Sequence, residues 1–482
     1  MGRRPQKPLS RRVGGEKRLV HHAGGEEEDT EHAEQDRPGR VAAVSWFDEQ
    51  GVEDELQAHD ERERRVRGHG SPSRWAPQKT SDRKYTFPRH GEGRMEFDAP
   101  PEHALIRSTA TDIASEYGPE YWREKEAAGE FAGEFWDELG EAGFHGLLIP
   151  EEYDGAGMGL QEMGLAMETL CAEGCGMAGT WYLVVTAGMA AIALRESGTD
   201  EQKEEYLPDV ATGDRIFSFA ITEPDAGTNT LNVGTRAERD GDEYVLNGKK
   251  AWITFADRAD DLILVTRTTP KDEVEKPTRG LSLFLVDMDD PGIEVSPIPK
   301  HGLNYSKSCE VFVEDVRVPE TALLGEEDDG WWHLVKTLNP ERIGFAAGAT
   351  GVAELAVSKA VDYANDREVF DVPIGTHQGV SFPITQAYTN VETARLMRQK
   401  AAWLFDRGRE CGYESNVAKA AAVEAGIDAV YHAMQAFGGW GYATEYDVER
   451  WWREINLTRL APVTQQMAYN HISQEMGFPR SY

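Results

Sequence analysis

Cysteine is scarce in this chain of 482 residues: Cys171, Cys175, Cys309 and Cys411 are the whole complement. Four thiols exclude a disulfide-stapled scaffold. Basic charge is also in deficit, with 51 Lys and Arg against 85 Asp and Glu, a formal charge of −34. Residues 1–94 hold 19 basic and 18 acidic side chains, so the other 388 residues carry about −35. A body that acidic repels phosphate, which argues against a nucleic-acid partner. Its self-repulsion is tolerable where salt screens it, so a salt-rich cytoplasm and a halophilic source are expected.

Residues 1–94 also lack the means to build a core. They contain no Ile and only Leu9, Leu19 and Leu56, among many Arg, Gly and charge runs such as Glu26–Asp29. Such a stretch buries too little apolar surface to offset chain entropy, and disorder is expected. It has no apolar segment of the kind a signal peptide needs, and its acids do not suit an organelle transit peptide. Met95 opens the part that reads as globular. It is expected to be the true start, with residues 1–94 a dispensable or wrongly included extension.

Long apolar runs are rare. Met177 to Leu194 is uncharged for 18 residues, near the lower limit for a membrane span. Its flanks, Glu173 and Arg195-Glu196, lack a basic bias. A helix buried on all sides in a helical domain is expected, and no membrane span. No fixed-period repeat is present, and no GxGxxG follows a strand, so no Rossmann unit is indicated.

The pattern from Met95 falls into three blocks. Helical periodicity marks Ile113 to Tyr117, Phe131 to Leu139, Met163 to Leu170 and Gln202 to Val210, with a turn at Asp154-Gly155-Ala156-Gly157. Strand signals follow from Ile216: Tyr244 to Gly248 reads as a strand entering a hairpin turn, and Leu262 to Thr266 and Leu281 to Val286 as short apolar strands. From Trp331 the chain reads as helical again, with segments near 341–364, 384–406, 414–436 and 462–475. The expected organisation is α+β: a helical domain over 95–215, a central β domain over 216–320 and a C-terminal helical bundle over 321–482.

Chemistry concentrates first in the β block. Phe219-Ala220-Ile221-Thr222-Glu223-Pro224-Asp225-Ala226-Gly227-Thr228 leaves a strand into a loop of small residues, with backbone N–H groups and the Thr222 and Thr228 hydroxyls available to a planar polar ligand. An ordinary turn fits the same spacing. Next comes Lys250-Ala251-Trp252-Ile253-Thr254, where strand alternation sets Trp252 and Thr254 on one face, an aromatic platform beside a hydroxyl; simple packing is the alternative.

Together these segments resemble the acyl-CoA dehydrogenase family over essentially all of residues 95–482. The T-E-P-x-A-G-[ST] loop and the W-I-T segment carry the resemblance. Val316-Arg317-Val318-Pro319, Arg367-x-x-Phe370 and Gln435-x-x-Gly438-Gly439-x-Gly441-Tyr442 follow in the family's order. The resemblance implies an N-terminal α-helical domain, a central β-barrel-like domain and a C-terminal four-helix bundle, assembled as a homotetramer with FAD held between domains and across a subunit interface. It assigns Phe219, Thr222, Thr228, Trp252, Ile253 and Thr254 to the flavin side of the site, and Thr464 and Gln466 to the cofactor of the same subunit. Arg367, Phe370, Gln378, Gln435, Gly438 and Gly439 match positions that reach the pyrophosphate and adenine of a neighbour's FAD. An Arg suits a diphosphate as a planar multi-donor cation, and paired glycines let backbone approach it. Thr228 also matches a position that meets acyl-CoA, and Asn339 and Arg342 fall on the substrate side. Asn229 departs from the Asp usual after that threonine.

The implied reaction is α,β-dehydrogenation of an acyl-CoA thioester to a trans-2-enoyl-CoA, with electrons passed to an electron-transfer flavoprotein. A carboxylate takes the α proton while the β hydrogen leaves as hydride to the flavin. Many members draw that base from a C-terminal Y-E-G-T segment. Here the run is Leu460-Ala461-Pro462-Val463-Thr464, and Pro462 cannot act as a base. Some members take the base from an earlier helix, where this chain has Asn339-Pro340-Glu341-Arg342. Asn339 suits an N-cap and Pro340 a first helical residue, which would put Glu341 in a first turn where the helix dipole favours its ionised form. Pro462 also lacks the N–H that the family's residue here donates to the thioester carbonyl. An enoyl-CoA reductase or acyl-CoA oxidase on the same fold, or a non-catalytic flavoprotein, remain alternatives.

The remaining features read as structural. Cys171 and Cys175 lack a neighbouring His for a metal site and fit buried thiols. His432 suits a core or interface position, Trp451-Trp452 with Arg450 and Arg453 a subunit junction, and Glu326 to Asp329 a solvated acidic loop.

Overall fold

The computed structural model describes residues 100–479; the disorder expected for residues 1–94 and the start expected at Met95 concern residues outside that range. The first helices are α1 (Pro101–Glu116), α2 (Pro119–Ala128), α3 (Gly133–Glu141) and α4 (Leu160–Leu170). The apolar run forms α5 (Ala178–Ser197), buried at every residue from Ala178 through Leu194 and wound as a π-helix over Val184–Ala190. α6 (Asp200–Thr212) shows why such helices start and stop where they do. Thr199 caps it in a reciprocal box with Gln202, two acids occupy its first turn, and Gly213 ends it in a left-handed conformation at φ 85°.

Strands follow: β1 (Phe217–Ala220), β2 (Arg236–Asp240), β3 (Glu243–Thr254), β4 (Asp261–Arg267), β5 (Leu281–Asp287), β6 (Ile293–Pro297), β7 (Ser308–Pro319) and β8 (Leu323–Leu324). They form one sheet in the order β6-β7-β3-β2-β4-β5-β8, with β1 parallel to β4. Asn247-Gly248 is not the hairpin turn. β3 runs through it, and the β2–β3 turn lies at Gly241-Asp242, between the paired Asp240 and Glu243. The register shifts here instead. Asn247 exchanges two hydrogen bonds with Asp315 (2.9 and 3.1 Å), and a Cβ on Gly248 would collide with Thr235. The turn-forming pair serves a bulge.

The chain closes with α7 (Gly330–Asp366), a hairpin of β9 (Glu368–Val369) and β10 (Val372–Pro373), then α8 (Gln378–Asp406), α9 (Gly412–Phe437), α10 (Val448–Leu457) and α11 (Gln465–Glu475). The expected helix start at Asn339-Pro340 is corrected: α7 begins at Gly330 and runs through Pro340. Tertiary packing overrides the proline's preference for a first turn. Leu334 is in the same apolar cluster as Phe217, Phe219 and Leu194, and Trp331, Leu338 and Ile221 pack against it. Beyond Pro340, Gly344, Gly348 and Gly351 let α7 lie close on α4 and α5.

Two smaller readings gain detail. Trp451 is buried in the chain's own core, and Arg450 beside it pairs with Asp447 and Glu454. Glu326 and Glu327 are exposed, as expected of a solvated acidic loop, while Asp328 anchors the loop to the sheet by accepting the Thr268 and Thr269 hydroxyls at 2.6 and 2.8 Å.

Candidate active site

The loop after β1 is held from behind. Glu223 accepts the Gly234 and Thr235 N–H groups at 2.7 and 2.9 Å and the Lys250 ammonium at 2.8 Å. Lys250, fully buried, also donates to the Ile221 carbonyl at 3.1 Å, and Ala251 N–H donates to the Thr222 carbonyl at 2.9 Å. With its acid and carbonyls engaged, the loop leaves Gly227 and Thr228 exposed. Among the described residues, the hydroxyls of Thr222 and Thr228 have no partner in the chain. Opposition to the Lys250 cation holds the Glu223 carboxyl below its usual range.

Beside this loop the β3–β7 register breaks between Lys250 and Ile253. The break shifts the alternation at Lys250-Ala251, both buried, while Trp252 and Thr254 keep the shared, less buried face expected of them. Trp252 takes φ 63° and is 55% exposed, whereas Ile253 turns into the sheet core and Thr254 is half-buried. A bulge within that alternation presents the indole. Phe219 and Ile253 both face apolar clusters, so their side chains support the site from behind.

Glu341 lies mid-helix on α7, one turn beyond Leu338, which packs on the cluster holding Phe219. It is buried, and its Oε2 has no hydrogen-bond partner among the described residues. The helix-terminus argument for its ionised form therefore fails. Burial pushes its pKa up to about 8, against the opposing pull of Arg342 and Lys419. Asn339 is not a cap: its Oδ1 accepts from Arg342 at 2.6 Å, orienting the guanidinium. Burial in turn holds the Arg342 pKa below its usual value.

A separate groove of about 680 Å³ gathers Arg367, Phe370, Gln435, Gly438 and Gly439. Arg367 follows α7 directly, is exposed, and makes no ion pair among the described residues. Phe370 stands 88% exposed at the tip of the β9–β10 hairpin, where it and Asp371 both take positive φ. Gln435 ends α9, and Gly438 and Gly439 leave it with no chain atom within 4 Å of where a Cβ would sit. Packing within the chain therefore does not explain glycine at 439. Gln378, the first residue of α8, is exposed; its neighbour His377 lines the groove. Thr464 caps α11, accepting Met467 N–H at 3.2 Å, and Gln466 is exposed in the first turn.

Sequence reasoning missed Lys419. It is fully buried on α9, and its ammonium donates to the Val463 carbonyl at 2.7 Å. The one available signal was a single cation in an alanine-rich run, Ala418-Lys419-Ala420-Ala421-Ala422. Cys171 and Cys175 are buried in a π-helical turn, where burial pushes the Cys171 thiol up to about 12. No metal-ligand cluster occurs among the described residues.

A helical–sheet–helical chain with a buried acid on its longest helix belongs to a class of oxidoreductases acting on CH–CH groups, and comparison with known proteins establishes it. The acyl-CoA dehydrogenase N-terminal, middle and C-terminal domains match residues 100–214, 218–316 and 328–477. The chain belongs to the acyl-CoA dehydrogenase family. It is 39% identical over 384 residues to acyl-CoA dehydrogenase FadE12 of Mycobacterium tuberculosis, covering 79% of this chain and 97% of that protein. It is 35% identical over 374 residues to the caffeyl-CoA reductase-Etf complex subunit CarC of Acetobacterium woodii, covering 77% and 97%. The structure of butyryl-CoA dehydrogenase from Megasphaera elsdenii superposes with a TM-score of 0.76 at 30% identity, covering 80% of this chain and all of that one.

Proposed function

We propose that the protein is an FAD-dependent dehydrogenase that converts an acyl-CoA thioester to its trans-2-enoyl-CoA, with Glu341 as the base. The observation that carries this reading is the buried Glu341 carboxyl, which has no hydrogen-bond partner among the described residues, in a chain whose Pro462 cannot supply the alternative base. Other solved family structures include FAD complexes, and the residues here suit that cofactor. The exposed Trp252 indole, the free Thr222 and Thr228 hydroxyls, the unpaired Arg367 and the open turn at Gly438 and Gly439 offer a stacking face, donors, a cation and room for a diphosphate. When bound, FAD supplies the hydride acceptor.

The chain's own work is proton chemistry and alignment. Glu341 must be ionised to take the α proton, and its carboxylate, free of hydrogen bonds among the described residues, is left to receive it. Arg342, oriented by Asn339, opposes the cost of charging a buried acid. Thr228 and the surrounding loop orient the thioester, held by the Glu223–Lys250 pair.

We further assign the electrons to an electron-transfer flavoprotein, since the relative CarC is a subunit of a caffeyl-CoA reductase-Etf complex. The Arg367 groove, with Phe370 and Gln378, takes the distal end of a neighbouring subunit's FAD in a homotetramer. The acidic surface fits a cytoplasm rich in salt.

One observation favours a second reading. A carboxyl raised to about 8 is protonated at neutral pH and suited to donating a proton to the α carbon of an enoyl-CoA. Relatives include a 3-(aryl)acrylate reductase of Clostridium sporogenes, 34% identical over 367 residues. Anaerobic titration with butyryl-, octanoyl-, palmitoyl-, isovaleryl- and phenylpropanoyl-CoA separates the two. Bleaching of the flavin by one chain class supports the dehydrogenase. An oxidised spectrum unmoved by all five, together with rapid re-oxidation of the reduced enzyme by an enoyl-CoA, supports the reductase.

A further inference from the structure

Lys419, fully buried on α9, has no counter-ion among the described residues. Burial, with Arg342 nearby, holds its pKa down to about 8, so it carries its charge at neutral pH and below. Its ammonium is held by the Val463 carbonyl at 2.7 Å and more distantly by Gln465 Oε1 at 3.5 Å. Gln465 is itself fixed to the Ala420 carbonyl at 3.0 Å, so α9 and the turn through Pro462 and Val463 are tied at two points. A buried cation that lacks a carboxylate partner is expensive unless something nearby uses its charge. Two acids feel it, Glu341 and Glu424; Glu424 already pairs with Arg459, whereas Glu341 lacks an ion pair among the described residues and its ionised form is favoured by Lys419.

We propose that Lys419 is a positioning residue of the reaction: it fixes the Val463 carbonyl and the Pro462 turn, and its charge stabilises the ionised Glu341 and the enolate-like charge that develops on the substrate. The inference rests on Glu341 being the base. Lys419 transfers no proton; the α proton goes to Glu341. The other groups facing this cluster are Arg342 from α7, Glu424 from α9 and Arg459 from the turn after α10, with His471 of α11 and Cys411 facing Arg342. Arg342 acts in the same direction as Lys419 on Glu341, so removing Lys419 weakens this support without abolishing it.

The test uses the full-length FAD holoenzyme with Lys419→Gln, which keeps a donor for the Val463 carbonyl but loses the charge, and Lys419→Arg, which keeps the charge. Acetoacetyl-CoA serves as a probe independent of turnover. Its acidic α C–H lets it bind as an enolate that gives a long-wavelength band with oxidised flavin. With FAD content and Tm retained, Lys419→Gln is expected to weaken acetoacetyl-CoA binding about tenfold and to move the acid limb of flavin reduction about one pH unit higher. Lys419→Arg is expected to restore both. A folded Lys419→Gln enzyme with both readouts unchanged overturns the proposal. If that variant does not fold, a folded Lys419→Arg enzyme with a displaced limb overturns it instead. Glu341→Gln measured in parallel separates the two claims: retained flavin bleaching refutes the base assignment, whereas its loss beside an unaltered Lys419→Gln enzyme refutes only the role of Lys419.

Discussion

The Lys250 ammonium, wholly buried on β3, donates to the Glu223 carboxylate at 2.8 Å behind the loop that carries Thr222 and Thr228. The same carboxylate accepts two backbone N–H groups from Gly234 and Thr235, so one ion pair sets the loop's path. Removing one partner strands the other charge. Lys250→Met is expected to destabilise the protein by about 3–5 kcal/mol and to release FAD. Urea unfolding and the flavin-to-protein absorbance ratio check this; a variant that keeps both would show that the pair is dispensable.

Glu341 makes stability depend on pH. Its folded pKa of about 8 lies above its ordinary value of 4.5, so the folded state keeps a proton that the unfolded chain has lost. The contribution is full below the ordinary value and disappears as pH rises through about 8, at up to about 1.4 kcal/mol per pH unit in that window. Glu341→Gln lacks this loss. Its stability relative to the parent is expected to rise from about pH 5 to about pH 9, as followed by thermal melts. A constant difference would contradict the burial of an ionisable acid at this position.

In the proposed reaction the same group sets the pH profile. The base must be ionised, so kcat/KM for acyl-CoA oxidation is expected to climb with pH through a midpoint near 8 and then level off. A midpoint in the ordinary carboxylate range would mean that the burial penalty is offset in the working enzyme.

Arg367 and Gly439 separate binding from folding. Neither contributes packing or an ion pair to the described chain. Arg367→Ala and Gly439→Val are expected to leave the stability of the FAD-free protein within about 0.5 kcal/mol of the parent. FAD affinity should fall about ten- to a hundredfold, the weight of lost charge-assisted bonds or blocked backbone approach. Fluorescence titration of FAD into stripped protein reads the change, and unaltered affinity would remove the groove from the cofactor site.

Gly348 is a packing glycine of another kind. A Cβ there would press on the Thr180 hydroxyl and lie 3.0 Å from Thr180 Cβ, forcing α7 away from α5. Gly348→Ala is expected to cost about 1–3 kcal/mol by overpacking, visible in denaturant unfolding. No loss would show that the two helices separate freely.

Local motifs were the legible part of this protein. The small-residue Thr222–Thr228 loop was legible from its own residues, whereas Arg367, Phe370 and Gly438-Gly439 were legible through the family resemblance that their motifs carry. Glu341 was legible as a motif but not in its setting. Asn339-Pro340 has the form of a helix start, and only the packing of Trp331, Leu334 and Leu338 carries the helix back to Gly330. The positive φ of Trp252 belongs to a bulge that strand alternation cannot show. The roles of Lys250 and Lys419 were not legible because their partners lie 27 and 44 residues away, and the alanine-rich run around Lys419 was the one local hint of burial.

The claim on which the rest turns is that Glu341 removes the α proton. Anaerobic rapid mixing of the FAD holoenzyme with an acyl-CoA that bleaches the parent flavin tests it most directly when repeated on Glu341→Gln. FAD bound at the parent level, with bleaching slowed by at least about a hundredfold, is the predicted result. Bleaching at the parent rate would contradict the assignment and move the base elsewhere in the chain.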